Sequence, residues 1–270
     1  MSARTHTFDT PRPLTLRLRN PAGDVEITAA DTTQTTVEVI PRGGGSSRDA
    51  AAHTRVELSG DGSRLDVEAP DKRFGGAGRL SMLVRLPAGS RVDVRTASAD
   101  VTCRGTLGGL EVATASGDLA TDDIDGDAAI ASASGDITLG AVTGSVECKT
   151  ASGDVHASSA GGSCRTSSAS GDVVIGSCGA EVTARTASGD VHIRQAGQGN
   201  VQITTMSGDV KVGVRRGALV WLDLSTMSGR TRSDLDPQDG PPTDDSEVLS
   251  ISIRTMSGDI TLSSSNLPVS

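Results

Sequence analysis

The acidic residues of this chain recur at a fixed interval. Asp100, Asp118, Asp136, Asp154, Asp172 and Asp190 stand 18 residues apart, each closing a Ser-x-Asp tripeptide. The series continues as Ser207-Gly208-Asp209, Ser228-Gly229-Arg230 and Ser257-Gly258-Asp259, at intervals of 19, 21 and 29 residues. Stacked carboxylates could bind divalent cations, as in calcium β-rolls. Those rolls carry Gly-Gly-x-Gly-x-Asp in both halves of each coil, whereas here one half carries an Asp and Gly occurs singly. The alternative is a stacked turn whose Ser and Asp accept backbone N–H bonds. Repulsion between carboxylates ~5 Å apart in water is only about 1 kcal/mol. Arg95, Lys149, Arg185 and Arg254, each five residues before an Asp, supply counter-charge. The stacked turn is the stronger reading, and a cation-binding roll stays as its rival.

Other reactive side chains are sparse. His156 and His192 occupy the same place in units 36 residues apart, so two coils would hold them ~10 Å apart, too far for one zinc. His6 and His53 have no evident partner. The four cysteines, Cys103, Cys148, Cys164 and Cys178, form no Cys-x-x-Cys and fall on apolar positions, so they read as core thiols. The chain contains no Gly-x-Ser-x-Gly, no Ser-x-x-Lys and no P-loop. We assign no catalytic residue, no cofactor and no metal. A carboxylate pair acting on a polysaccharide is the enzymatic alternative, because stacked repeats bring distant residues together.

The elements that carry these residues are strands. Asp136-Ile137-Thr138-Leu139 and Ser145-Val146-Glu147-Cys148-Lys149-Thr150 alternate with period two, and Gly and Ser bound them. No segment sustains a helical period. The residue after each Asp is apolar, as in Val101, Leu119, Ile137, Val155, Val173 and Val191, which predicts one inward stack. Two short strands per unit predict an all-β, single-domain β-solenoid, β-helix-like, with ~18-residue coils. The alanine before each repeated Ser, as at Ala151 and Ala187, suggests a tight corner. Residues 1–97 read as irregular β coils acting as a cap, interrupted by loops at 41–54 and 71–79. Residues 98–262 read as the regular solenoid, with a Pro- and acid-rich loop insertion at 233–247 and a tail at 263–270.

One region breaks the pattern. The corner alanine becomes Met206, Met227 and Met256, and Trp221 lies in Leu219-Val220-Trp221-Leu222-Asp223-Leu224. If Val220, Leu222 and Leu224 point inward, Trp221 points out. These four residues, Met206, Trp221, Met227 and Met256, are the candidate interaction patch. The competing reading is that the methionines only fill a wider corner.

Composition narrows the partners. The net charge is −9 and aromatics are 1% of the chain, which disfavours nucleic acid. No apolar run approaches the ~20 residues of a membrane span. The first residues, Met1 to Asp9, lack an apolar leader core, so a cytoplasmic location is expected.

The repeated corner, as in Thr150-Ala151-Ser152-Gly153-Asp154-Val155 and Thr186-Ala187-Ser188-Gly189-Asp190-Val191, resembles the bacterial toastrack family of candidate adhesins, from about Leu14 to Leu262. The resemblance implies a β-solenoid linked to envelope-stress and cell-surface systems and offers no catalytic residues to carry over. The expected function is a non-enzymatic scaffold or protein-binding module, adhesin-like, acting through a protein partner or self-association at the C-terminal coils.

Overall fold

Alternating apolar residues become strands almost everywhere in the computed structural model, which describes residues 3–70, 78–235 and 248–265. The chain divides into two units, Met1–Gly140 and Ala141–Ser270.

The first unit is built around one long strand. Its elements are β1 (Arg4–Asp9), β2 (Thr15–Ala30), β3 (Gln34–Arg42), α1 (Gly45–His53), β4 (Arg55–Leu58), β5 (Arg64–Glu68) and β6 (Arg79–Pro87). Then come β7 (Arg91–Arg104), β8 (Gly109–Ser116), β9 (Leu119–Thr121), β10 (Ala128–Ser134) and β11 (Ile137–Val142). β2 buries Leu16, Leu18, Val25 and Ile27. β7 pairs parallel along one edge of β2, and β5 and β6 share the other edge. Between its halves the buried Asn20 Nδ2 donates to the Leu80 carbonyl at 3.1 Å. Gly23 follows with φ +120°, and a Cβ there would collide with the same carbonyl. Antiparallel partners then close the outside of the unit: β3 on β6, β1 on β3 and β4 on β5. Away from that end the pairing is parallel, with Val101 opposite Leu119 and Leu119 opposite Ile137.

The Gly- and Ser-rich stretch at 41–54 contains a helix, α1, rather than the expected loop. Its nine residues are too few to show a period. Tertiary contacts hold it instead: Ala50 and Ala51 are buried, and Ser47 Oγ donates to the Arg42 carbonyl at 2.9 Å. The Arg4 guanidinium donates to the carbonyls of Ala51 and Ala52 at 2.9 and 2.7 Å, capping the helix C-terminus from 47 residues away. The second expected interruption, at 71–79, lies mostly outside the described residues.

The second unit alternates strands between two faces. One face holds β12 (Val146–Ser152), β14 (Cys164–Ser170), β16 (Val182–Ser188), β18 (Gly199–Ser207), β20 (Leu219–Ser228) and β22 (Val248–Ser257). The other holds β13 (Val155–Ala160), β15 (Val173–Cys178), β17 (Val191–Ala196), β19 (Val210–Arg215), β21 (Thr231–Ser233) and β23 (Ile260–Ser265). Among the described residues, all pairing in this unit is parallel. Val155, Val173, Val191, Val210 and Ile260 are successive partners and at most 1% exposed. β23 extends three residues beyond Leu262 into the expected tail.

The order of the last strands in space differs from their order in the chain. β18 pairs with β22, and β22 pairs with β20. On the other face β19 pairs with β23, and β23 with β21. Residues 248–265 are therefore inserted beneath residues 219–233. Among the described residues the array ends at β20 and β21, not at the expected Asp259 to Leu262. The expected loop insertion at 233–247 lies mostly outside the described residues.

Candidate functional site

The repeated Asp corners are turns that bond to one another. Asp172 N–H donates to Asp154 Oδ1 at 2.8 Å, and Asp190 N–H to Asp172 Oδ1 at 2.8 Å. Asp209 bonds to Asp190, and Asp259 to Asp209, at 2.7 and 2.8 Å. In the first unit Asp118 bonds to Asp100 and Asp136 to Asp118, both at 3.0 Å. Within each unit these acceptor carboxylates thus cap the backbone of the next corner. The glycine beside it is required: Gly171 has φ +128°, and a Cβ would strike the Gly153 carbonyl. Ala99 does without glycine, since among the described residues no non-Gly residue, Ala99 included, has a positive φ. Among the described residues, no three His, Cys, Asp or Glu side chains are grouped to hold a metal.

The ladder also explains its one exception. Arg230 N–H donates to Asp259 Oδ1 at 2.8 Å, so the Arg230 corner receives the same cap as Asp172, Asp190, Asp209 and Asp259. It has no described coil beyond it to cap in turn. The position that lacks a carboxylate is the position that ends the stack. The Arg230 substitution was visible in the sequence, and it was the available signal for the inverted strand order.

The candidate patch is brought together only in part. Met206, Met256 and Met227 lie on adjacent strands, because Ser207, Ser257 and Ser228 are successive partners. They are 56%, 51% and 81% exposed. The corner alanines face outward too: Ala115, Ala133, Ala151 and Ala187 are exposed. The corner-packing reading of Ala and Met therefore fails. The inward side chain is the preceding hydroxyl residue, Thr186, Thr205 or Thr255. Trp221 is 57% exposed but stands six residues from Met227 along β20, about 20 Å in an extended strand. Val220, Leu222 and Leu224 occupy inward positions, as expected. Leu222 is nevertheless 36% exposed, while its partner Ile251 is fully buried. Leu222 and Val248 extend the exposed apolar set beyond the four residues named from sequence.

The remaining reactive side chains stay dispersed. All four cysteines are free and buried. Desolvation pushes the Cys103 and Cys148 thiols up to about 12, and raises Cys164 and Cys178 as well. His192 lies on β17 beside Arg194 and Lys211; burial, then those two charges, lowers its pKa. A groove of about 380 Å³ on the first unit is lined by Arg17, Arg19, Asp66, Glu68, Asp93 and Arg95. Four of its charges pair within the groove, Arg19 with Glu68 and Arg95 with Asp93, both at 3.5 Å, while Asp66 pairs with Arg64 at 2.9 Å.

A parallel β array with capped corners defines a β-solenoid repeat protein. The family described as Toastrack DUF4097 matches residues 15–263, and the chain belongs to it. A candidate adhesin from Bacteroides fragilis shares the fold at 12% identity and a TM-score of 0.50, covering 97% of each chain. Weaker likenesses include a candidate adhesin from Parabacteroides distasonis, 11% identical over 96% and 97% of the two chains, with a TM-score of 0.42. A candidate cell adhesion protein from Clostridium sporogenes is 11% identical over 97% of this chain and 100% of its own, with a TM-score of 0.36. No curated protein matches.

Proposed function

We propose that this chain is a non-enzymatic binding scaffold of adhesin type, in which each 18-residue unit is one two-stranded coil. Residues 1–97 cap one end, and the C-terminal coils make the contact. One observation carries the reading. The six exposed large apolar residues among those described are Met206, Trp221, Leu222, Met227, Val248 and Met256. All six lie on β18, β22 and β20, neighbouring strands of one face. Apolar exposure confined to one place marks an interaction surface, and flexible methionine suits varied partners. The resemblance to candidate adhesins agrees with a binding role, including one in envelope assembly or stress. A cytoplasmic location belongs to the same proposal, and cell fractionation tests it.

The experiment compares capture from cell extract by the folded parent and by a Trp221→Ser, Met227→Ser variant. The reading requires a saturable protein partner that the variant loses; identical capture would refute it. The enzymatic alternative rests on the charged groove, where Asp66 and Asp93 flank Arg17 from β5 and β7. Polysaccharide cleavage by the parent, abolished by Asp93→Asn, would establish that alternative.

A further inference from the structure

We propose that the partner of the C-terminal coils is a second copy of this chain, docked by antiparallel pairing of β20 with β20 about a two-fold axis at Leu224. The proposal rests on the binding role argued above and names its occupant.

The argument begins at the end of the array. β20 pairs with β22 along one edge, and among the described residues no strand pairs with its other edge. A ten-residue strand with one open edge presents a row of unpaired N–H and C=O groups. Beneath it, Leu222 is 36% exposed where its neighbours in the stack are buried. Another parallel coil is not the natural continuation. Such a coil would need a carboxylate at position 230 to receive its corner N–H, and Arg230 stands there. A two-fold partner makes no such demand, and two-fold closure is the commonest assembly.

The sequence of β20 then selects the register. Directly opposed residues in an antiparallel pair share a face, so only registers that pair inward with inward positions are allowed. An axis at Asp223 sets two carboxylates against each other. An axis at Leu222 sets Trp221 against Asp223. An axis at Leu224 sets Leu224 against Leu224, Asp223 against Ser225, and Trp221 against Met227 of the other copy. Sulfur against an aromatic ring is a favourable contact. This register joins the two outward apolar residues that a single chain holds apart, and it does so twice. At their present exposures, Trp221, Leu222 and Met227 of two copies would remove at most roughly 700 Å², if fully covered. That is about half of the ~1,200 Å² that a specific interface needs, before the backbone edge and the remaining inward residues are counted.

Light scattering of the purified chain at micromolar concentration, together with oxidation of single-cysteine variants, tests the proposal. The four native thiols are buried and stay silent. Leu224→Cys places two thiols across the axis, whereas Asp223→Cys places them on a diagonal at ~7–8 Å. Circular dichroism checks that both variants are folded. The expected result is a dimeric parent, cross-linked through residue 224 and poorly through 223. A Trp221→Ser, Met227→Ser variant should shift towards monomer. A monomeric parent would overturn the second copy as partner, and the capture experiment would then decide the binding role separately. A dimer that cross-links better through 223 than 224 would overturn the register and the proposal with it.

Discussion

Replacing Asp172 separates the two roles available to the repeated carboxylate. In the structure Asp172 Oδ1 accepts the N–H of Asp190 at 2.8 Å. A hydrogen bond to an ionised acceptor contributes about 1.5–3 kcal/mol where it is shielded from water. This corner is exposed, so water takes over part of the lost bond and about 1 kcal/mol remains. Removing the charge acts in the other direction, because carboxylates ~5 Å away repel by up to about 1 kcal/mol in water. Asp172→Ala alone would therefore mix two effects of similar size. Asp172→Asn keeps an acceptor oxygen and loses the same charge. Asn should exceed Ala by about 1 kcal/mol, roughly 2–4 °C in midpoint for a chain of this size. The same pair at the end of the stack, Arg230→Asn and Arg230→Ala, should agree within about 0.5 kcal/mol, since nothing there needs an acceptor. Urea unfolding followed by circular dichroism measures all four, and amide exchange at Asp190 reports the bond directly. If Asn and Ala are equal at 172, or differ as much at 230 as at 172, the capping account of the ladder is wrong.

Val173→Asp would place an unpaired charge between Val155 and Val191, at a site 1% exposed, and should cost several kcal/mol; a loss below about 1 kcal/mol in urea would contradict the buried stack. Added calcium should leave the thermal midpoint unchanged, because the corner carboxylates already accept backbone N–H groups; a rise of several degrees would show a cation bound only by the folded chain. The buried thiols set an alkaline limit. Cys103 and Cys148 are raised from 9.0 to about 12 in the folded chain. Their contribution is full below pH ~9, where both states hold the proton, and falls as pH rises towards 12, where only the folded state still holds it. Unfolding midpoints measured from pH 8 to 11 should decline, and replacing Cys103 and Cys148 with Ala should flatten that decline.

The sequence alone determined everything that depends on local period. Alternation fixed which side chains of Val155, Val173 and Val191 face inward, and the 18-residue interval placed them in one column. The same arithmetic sent the four cysteines inside and exposed Trp221. Tertiary structure decided what period cannot express. Residues 219–233 and 248–265 carry the same corner and the same alternation, so exchanging their positions leaves every local pattern unchanged. Which of them covers the other depends on which edge can be left without a carboxylate, and Arg230 marks that edge only once the ladder bonds are seen. The helix at Gly45–His53 was hidden for a related reason. Its nine residues have no strong propensity, and Arg4, 47 residues away, supplies the cap that holds its end. The corner misled the reading as well. A small residue before each Ser suggested crowding, but the side chain points to water, and threonine one place earlier fills the inside. Side-chain direction at a turn follows from how the backbone crosses from one face to the other, and only the folded chain sets that crossing.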